Sequence, residues 1–185
     1  MGIVDRLKGA RRPALPRESA ELLELTGRDR VLAWADLAGG GVAAATPDGL
    51  RVRTPQGRLV RRPWVEVDHA VWDEDSRTLA VWWVGSRRPT PLEVGEGSFL
   101  PEVVHERVRA SVVLTREVPL PGGRSVTVAL RKRADGVLST HALPARNVRL
   151  DDPEVAPLVE RARAGLREEA GMTAEPTPPA APKAP

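Results

Sequence analysis

From Arg30 onward, short runs rich in Val and Trp alternate with joints that carry Gly, Pro or Asp. That punctuation suits a meander of antiparallel strands. The runs cover residues 31–37, 42–46, 50–54, 64–72 and 78–84, and the joints are Gly39-Gly40-Gly41, Pro47-Asp48-Gly49, Pro55-Gln56-Gly57 and Glu74-Asp75-Ser76. Glycine enters left-handed backbone without a steric penalty, proline presets φ, and aspartate bonds its own turn backbone, so each joint is equipped for tight turning. A further extended piece at 90–94 leads to Gly95 and Gly97.

Beyond it the rhythm changes. Leu100, Val103, Val104 and Val108 recur at helical spacing with Pro101 in the first turn, which predicts a helix. Three more strands are expected at 112–118, 125–133 and 137–143, joined by Pro121-Gly122-Gly123 and Ala134-Asp135-Gly136. Two helices bracket the whole. A short one is opened by Pro16, crowds Ala20, Leu22, Leu23 and Leu25 on one side, and is stopped by Gly27. The longer one runs from about Pro153 to Ala170, with Asp151 and Asp152 before it and Gly171 after it. Its core face is Val155, Leu158, Val159, Ala162 and Leu166, and Pro157 lies close to its start.

A chain of 185 residues with 41% hydrophobic and 29% charged residues has the composition of a protein with a core. It is expected to form a single domain over 16–171. A basic leader at 1–15 and a Pro/Ala-rich tail at 172–185 are expected to be mobile. Cysteine is absent, which excludes disulfides, thiolate metal sites and a cysteine nucleophile and suits a reducing compartment. With no secretory leader and no apolar run of about 20 residues, the expected location is the cytoplasm. The net charge is +3 and the pI about 10.1, and the basic residues are overwhelmingly arginine. That usage also fits the codon bias of a GC-rich bacterium.

One stretch carries a family resemblance. Thr46-Pro47-Asp48-Gly49-Leu50 is followed by Arg61-Arg62-Pro63-Trp64-Val65-Glu66-Val67 and then by Leu79-Ala80-Val81. The order is a hairpin, a tryptophan with an aliphatic residue three positions on, and an apolar strand. This resembles the pleckstrin-homology-like (PH-like) barrel of small bacterial proteins, and the chain is similar to actinobacterial proteins of comparable length. The resemblance covers residues 30–84 best and the final helix next. It implies an α+β fold, an antiparallel PH-like β-barrel or strongly bent sheet with a C-terminal capping helix, a short N-terminal helix and one inserted helix. It brings no functional residues with it, because such domains share a scaffold rather than a site.

Two surfaces are candidates for binding. Arg51, Arg53, Arg58, Arg61 and Arg62 fall within twelve residues free of acids, and Arg131-Lys132-Arg133 ends a later strand. Together they are a candidate partner or anion-binding surface. Trp82 and Trp83 are consecutive on a strand, so both face inward only if something covers the second face. Either a helix covers it or one ring is exposed and marks an interface. In the run 64–72, alternation sets Val65, Val67, His69 and Val71 on one face, with His69 a structural histidine, and places Asp68 on the other.

Catalysis finds no foothold in the pattern. His69, His105 and His141 are scattered, without the spacing of a zinc site, and no phosphate loop or nucleophile with a base is legible. No cofactor is expected. The expected function is a non-enzymatic binding or adaptor domain that takes a protein or peptide partner through a sheet edge, the barrel mouth or an exposed tryptophan. The alternatives are peripheral association with anionic membrane, through the arginine clusters and the leader with its Ile3, Val4 and Leu7, and an enzyme with an unrecognised site. Nucleic acid is disfavoured, since the tryptophans look committed to the core and acidic runs interrupt the basic surface.

Overall fold

The computed structural model describes residues 14–172, so the leader and the tail lie outside the described residues apart from Ala14, Leu15 and Met172. The fold is α+β, with three antiparallel sheets and three α-helices among these residues. The chain divides into two compact units. The first comprises the chain up to Ser111 together with Arg133–Asp135, and the second comprises Val112–Lys132 and the chain from Gly136. No linker of altered composition marks the division, because a helix ending at Ser111 runs straight into a strand beginning at Val112.

The first unit begins with helix α1 (Arg17–Leu22) and continues through a four-stranded meander, β1 (Ala33–Leu37), β2 (Gly41–Ala45), β3 (Gly49–Arg53) and β4 (Leu59–Pro63). A 3-10 turn at Trp64–Glu66 leads into a three-stranded meander, β5 (Val67–Asp73), β6 (Thr78–Trp83) and β7 (Thr90–Glu93), and helix α2 (Leu100–Ser111) follows. The expected turns fall between strands, and Gly39 and Gly40 both hold positive φ at the β1–β2 joint, where a residue with a Cβ would be strained. One strand is new. Among the described residues β4 is an edge strand, and its Arg61 and Arg62 are exposed, as charge on an edge strand discourages pairing with another chain.

The core of this unit gathers Leu50, Val52, Val67, Leu79 and Val81 from the sheets under Leu100, Val103, Val104 and Val108 of α2. All four predicted α2 positions are buried. On the outer face of the four-stranded sheet, Val42 and Ala44 pack with Leu23, Leu25, Trp34 and Leu59 into a second, smaller cluster. α1 stops earlier than Gly27 suggests. Its C-cap is Leu23, and Glu24 takes the left-handed conformation with φ of 51°.

The second unit is the three-stranded sheet β8 (Val112–Leu120), β9 (Arg124–Lys132) and β10 (Leu138–Pro144), ordered β10-β9-β8, with helix α3 (Ala156–Glu169) against one face. Val126, Val128 and Leu130 alternate along β9 into a core with Val155, Val159, Ala162 and Leu166. Gly171 ends α3 as expected. Its N–H bonds Glu168 O at 2.9 Å while Met172 N bonds Arg167 O at 2.8 Å, the paired closure of a glycine-stopped helix.

One architectural expectation needs correction. Among the described residues the strands form three separate sheets, with one isolated bridge from Leu37 to Val94, rather than a closed barrel. The final helix packs on β8, β9 and β10, and α2, expected as an insertion, packs on β1, β2, β5 and the 3-10 turn.

Candidate functional site

The basic cluster comes apart in the structure. Arg51 and Arg61 are cross-strand partners on the outer face of the sheet, whereas Arg62 stands opposite the buried Leu50 and so points the other way. Arg61 pairs with Glu24, and Arg62 pairs with Glu66 at 2.6 Å. Arg53 donates to Gly57 O at 2.8 Å, Arg58 is exposed in the β3–β4 turn, and Lys132 is exposed at the end of β9. Arg133 pairs with Asp135 at 3.0 Å across the next turn. Arg131 is 2% exposed, which removes it from any surface patch. Linear sequence hid the counter-ions, because the acids that neutralise Arg51 and Arg61 lie more than twenty residues upstream.

Arg51 shows what one such arginine does. Its guanidinium donates to Glu24 O at 2.7 Å and to Asp29 Oδ1 at 3.0 Å, fastening the chain after α1 onto the sheet. Asp29 in turn accepts from Thr26 N at 2.7 Å and Thr26 Oγ1 at 2.9 Å. The Thr26 backbone bond, then its hydroxyl, with Arg51 adding attraction, hold the Asp29 carboxyl below its ordinary value against a modest opposing effect of burial. A carboxyl depressed in the folded state stabilises fully above its unfolded pKa, and that stabilisation is lost as pH falls through the folded value. Asp29→Asn is therefore expected to cost about 1–2 kcal/mol near neutral pH. It should also narrow the stability difference between about pH 6 and about pH 3, as read by thermal unfolding.

The tryptophan pair divides as strand alternation demands. Trp83 stands opposite Val67, packs against the core and donates Nε1–H to Thr90 Oγ1 at 2.8 Å. Trp82 stands opposite His69, whose ring stacks on it at 4.5 Å and 12°. Neither indole is exposed, and the more open ring is Trp72 at 37%. His69 itself is exposed rather than buried. A register shift between Val67 and His69 breaks the expected alternation, so Val67 faces the core while His69 and Val71 do not, and it lets His69 Nδ1 approach Asp68 Oδ2 at 3.2 Å.

A pocket of about 360 Å³ lies along the outer edge of β1. Residues 31–36 form one side and residues 95–99 the other, with Ala14 and Leu15 also lining it. Among the described residues β1 is the end strand of its sheet, and the segment after β7 is clipped to it by Ala38 N to Glu93 O at 3.0 Å and Gly95 N to Asp36 O at 2.9 Å. A Cβ at Gly95 would lie 3.2 Å from the Asp36 carbonyl oxygen, so a larger residue there needs the β1 backbone to give by a few tenths of an ångström. Gly97 follows with φ of 69°.

Ser98 joins the two walls. Its hydroxyl donates to Trp34 O at 2.7 Å and accepts from Leu100 N at 3.1 Å, so one oxygen caps α2 and holds the helix start to β1. Ser98→Ala is expected to cost about 1–2 kcal/mol, measured by urea unfolding, through loss of a cap and of the bond to the strand. The pocket surface combines apolar Leu15, Val31 and Phe99 with the carboxylates of Asp36 and Glu96. Phe99 is 37% exposed. Among the described residues, no histidine or lysine lines it.

Sequence reasoning did not find this pocket, because its walls lie some sixty residues apart in the chain. The signal available was Gly95 and Gly97 ahead of a helix. A second pairing also escaped it, Ser139 Oγ with His141 Nε2 at 2.9 Å, from alternate positions of β10 in the second unit. No group of three or more His, Asp or Glu placed to hold a metal occurs among the described residues, and no helix among them is long and apolar enough to cross a membrane. Comparison of the chain with protein-family models, with curated proteins and with solved structures found no match.

Proposed function

We propose that this chain is a non-enzymatic binding module whose first unit takes an extended peptide segment of a partner protein in the groove beside β1. The observation that carries the reading is the juxtaposition at that groove of an apolar wall of Val31 and Phe99 and two acidic residues, Asp36 and Glu96. Peptide segments seat apolar side chains in pockets of this kind, and carboxylates select basic residues. The favoured ligand alternates apolar residues with Lys or Arg.

The PH-like reading belongs with this proposal. The order of elements in the first unit, four strands, three strands and a helix, supports it, with α2 in the role of capping helix. The membrane alternative loses its main support, since Arg61 and Arg62 point to opposite faces and both are paired.

An array of peptides that alternate apolar and basic residues, probed with the full chain, tests the reading. Selected peptides are expected to bind Phe99→Asp about tenfold more weakly, the 1.4 kcal/mol expected of one apolar anchor. Phe99 immediately precedes α2 and its carbonyl accepts from Val103 N at 3.1 Å, the cap position at which aspartate is favoured, so the substitution leaves the fold standing. Peptide binding indifferent to Phe99→Asp would reject the groove.

A further inference from the structure

We infer that β5 is the edge through which two copies of this chain pair, strand against strand and antiparallel, about a twofold axis at Val71. Among the described residues β5 is an end strand of its sheet and pairs with β6 alone. Val71 is 51% exposed and the adjoining Trp72 37%, and His69 and Asp73 are exposed on either side of them. An exposed apolar edge offers its backbone groups to another chain, and folded proteins guard against that where they do not use it. The other sheet ends of the first unit are guarded. The segment after β7 is clipped to β1, β4 carries Arg61 and Arg62, and β7 contains Pro91, which has no N–H to give.

Symmetry limits the register. A twofold axis relating two antiparallel edge strands stands perpendicular to the sheet, so each residue meets one from its own face, an even number of positions away. Centred on Val71, the matches are His69 with the partner's Asp73, Ala70 with the partner's Trp72, and Val71 with the partner's Val71. His69, Val71 and Asp73 share the face on which His69 stacks on Trp82, and Ala70 and Trp72 share the other, opposite the buried Val81 and Leu79. Base meets acid twice, because the axis repeats the pair, while large meets small on the other face and apolar meets apolar at the centre. Centring on Ala70 would set Val67 against the partner's Asp73 and Asp68 against the partner's Trp72. Centring on Trp72 would set Val71 against the partner's Asp73.

Both charged groups are already held in place. His69 Nδ1 lies 3.2 Å from Asp68 Oδ2 and the ring is stacked on Trp82 at 4.5 Å, so the imidazole is fixed at the edge. Asp73 Oδ1 accepts from Ser76 N at 3.0 Å, which fixes that carboxylate where the β5–β6 turn begins. Groups ordered before contact cost less to order on association. The register shift between Val67 and His69 ends the regular edge on one side and the turn after Asp73 ends it on the other. A ladder this short makes a reversible, concentration-dependent dimer. It uses a different sheet from the groove beside β1, so the two surfaces stand or fall separately.

Analytical ultracentrifugation of the full chain over a concentration series tests the inference. The chain is expected to pass from monomer to dimer as concentration rises, and Val71→Lys, which sets like charges directly opposite each other at the axis, is expected to hold it monomeric. His69→Asp alone sets acid against acid, and Asp73→Lys alone sets base against base, so each is expected to weaken self-association at least about tenfold. Mixed in equal amounts, the two variants restore both matches, Asp with Lys and His with Asp, and association is expected to return. Recovery on mixing also shows that both variants are folded. A chain that stays monomeric throughout the series, a dimer indifferent to Val71→Lys, or a mixture no more associated than its two parts would overturn the inference.

Discussion

Replacing Trp64 by alanine is expected to lower the unfolding free energy of the first unit by about 3–5 kcal/mol. The ring is 5% exposed and belongs to the core shared by both sheets and α2. Its removal forfeits apolar burial and leaves a cavity that close-packed neighbours fill only in part. The indole also donates Nε1–H to Thr46 O at 2.9 Å in a buried setting. Thr46 is itself the pivot of the β2–β3 turn, with its N–H and hydroxyl both bonded to Gly49 O, at 2.9 and 3.0 Å. Trp64→Ala therefore strips a buried carbonyl of its donor at the point where the hairpin closes, in addition to opening the core. Trp64→Phe keeps most of the volume and loses the bond, and is expected to cost less than half as much. Urea unfolding followed by far-ultraviolet circular dichroism reads both. A loss for Trp64→Ala below about 1 kcal/mol would show that the tryptophan is no anchor.

Gly49→Val is the second large effect, expected at about 1–3 kcal/mol or more. A Cβ at Gly49 would fall inside contact distance of the Arg62 carbonyl and of Pro63 Cα, backbone atoms of the paired strand β4. Backbone held in a ladder cannot swing aside, so the β3–β4 pair has to part locally. Gly165→Ala provides the contrast. There the obstructing atoms are the tip of Arg116, whose ion pair with Glu169 at 3.1 Å is about half exposed. A flexible side chain moves away at little cost, an exposed ion pair contributes at most about 1 kcal/mol, and alanine gains about 1 kcal/mol of helix propensity. Gly165→Ala is thus expected to be near neutral by the same assay. Equal penalties at the two glycines would contradict the contact argument.

Much of the local structure was legible because single-residue physics decides it. The apolar spacing of α2 predicted its buried face, and turn chemistry placed the hairpins at Gly39-Gly40 and Asp135-Gly136. Where long-range packing decides, legibility ended. β4 carries exposed arginines instead of an apolar alternation, and the shift at Val67–His69 reverses the faces of everything after it on β5. The division at Ser111 leaves no mark in composition, so nothing in the sequence assigned each helix to its own sheet. The binding surfaces suffered most. An arginine run reads as a patch until folding brings Glu24 and Asp29 onto it, and the groove exists only because the Ser98 hydroxyl meets the Trp34 carbonyl across 64 positions of sequence.

That groove is the centre of the account, and the most direct measurement is amide chemical-shift mapping of the full nitrogen-15-labelled chain titrated with the peptide that the array selects. The account predicts that the largest shifts fall on residues 31–36 and 95–99 and saturate with one affinity. Shifts centred on the outer face of β5 and β6 around Val71 and Trp82, or in the second unit, would contradict it.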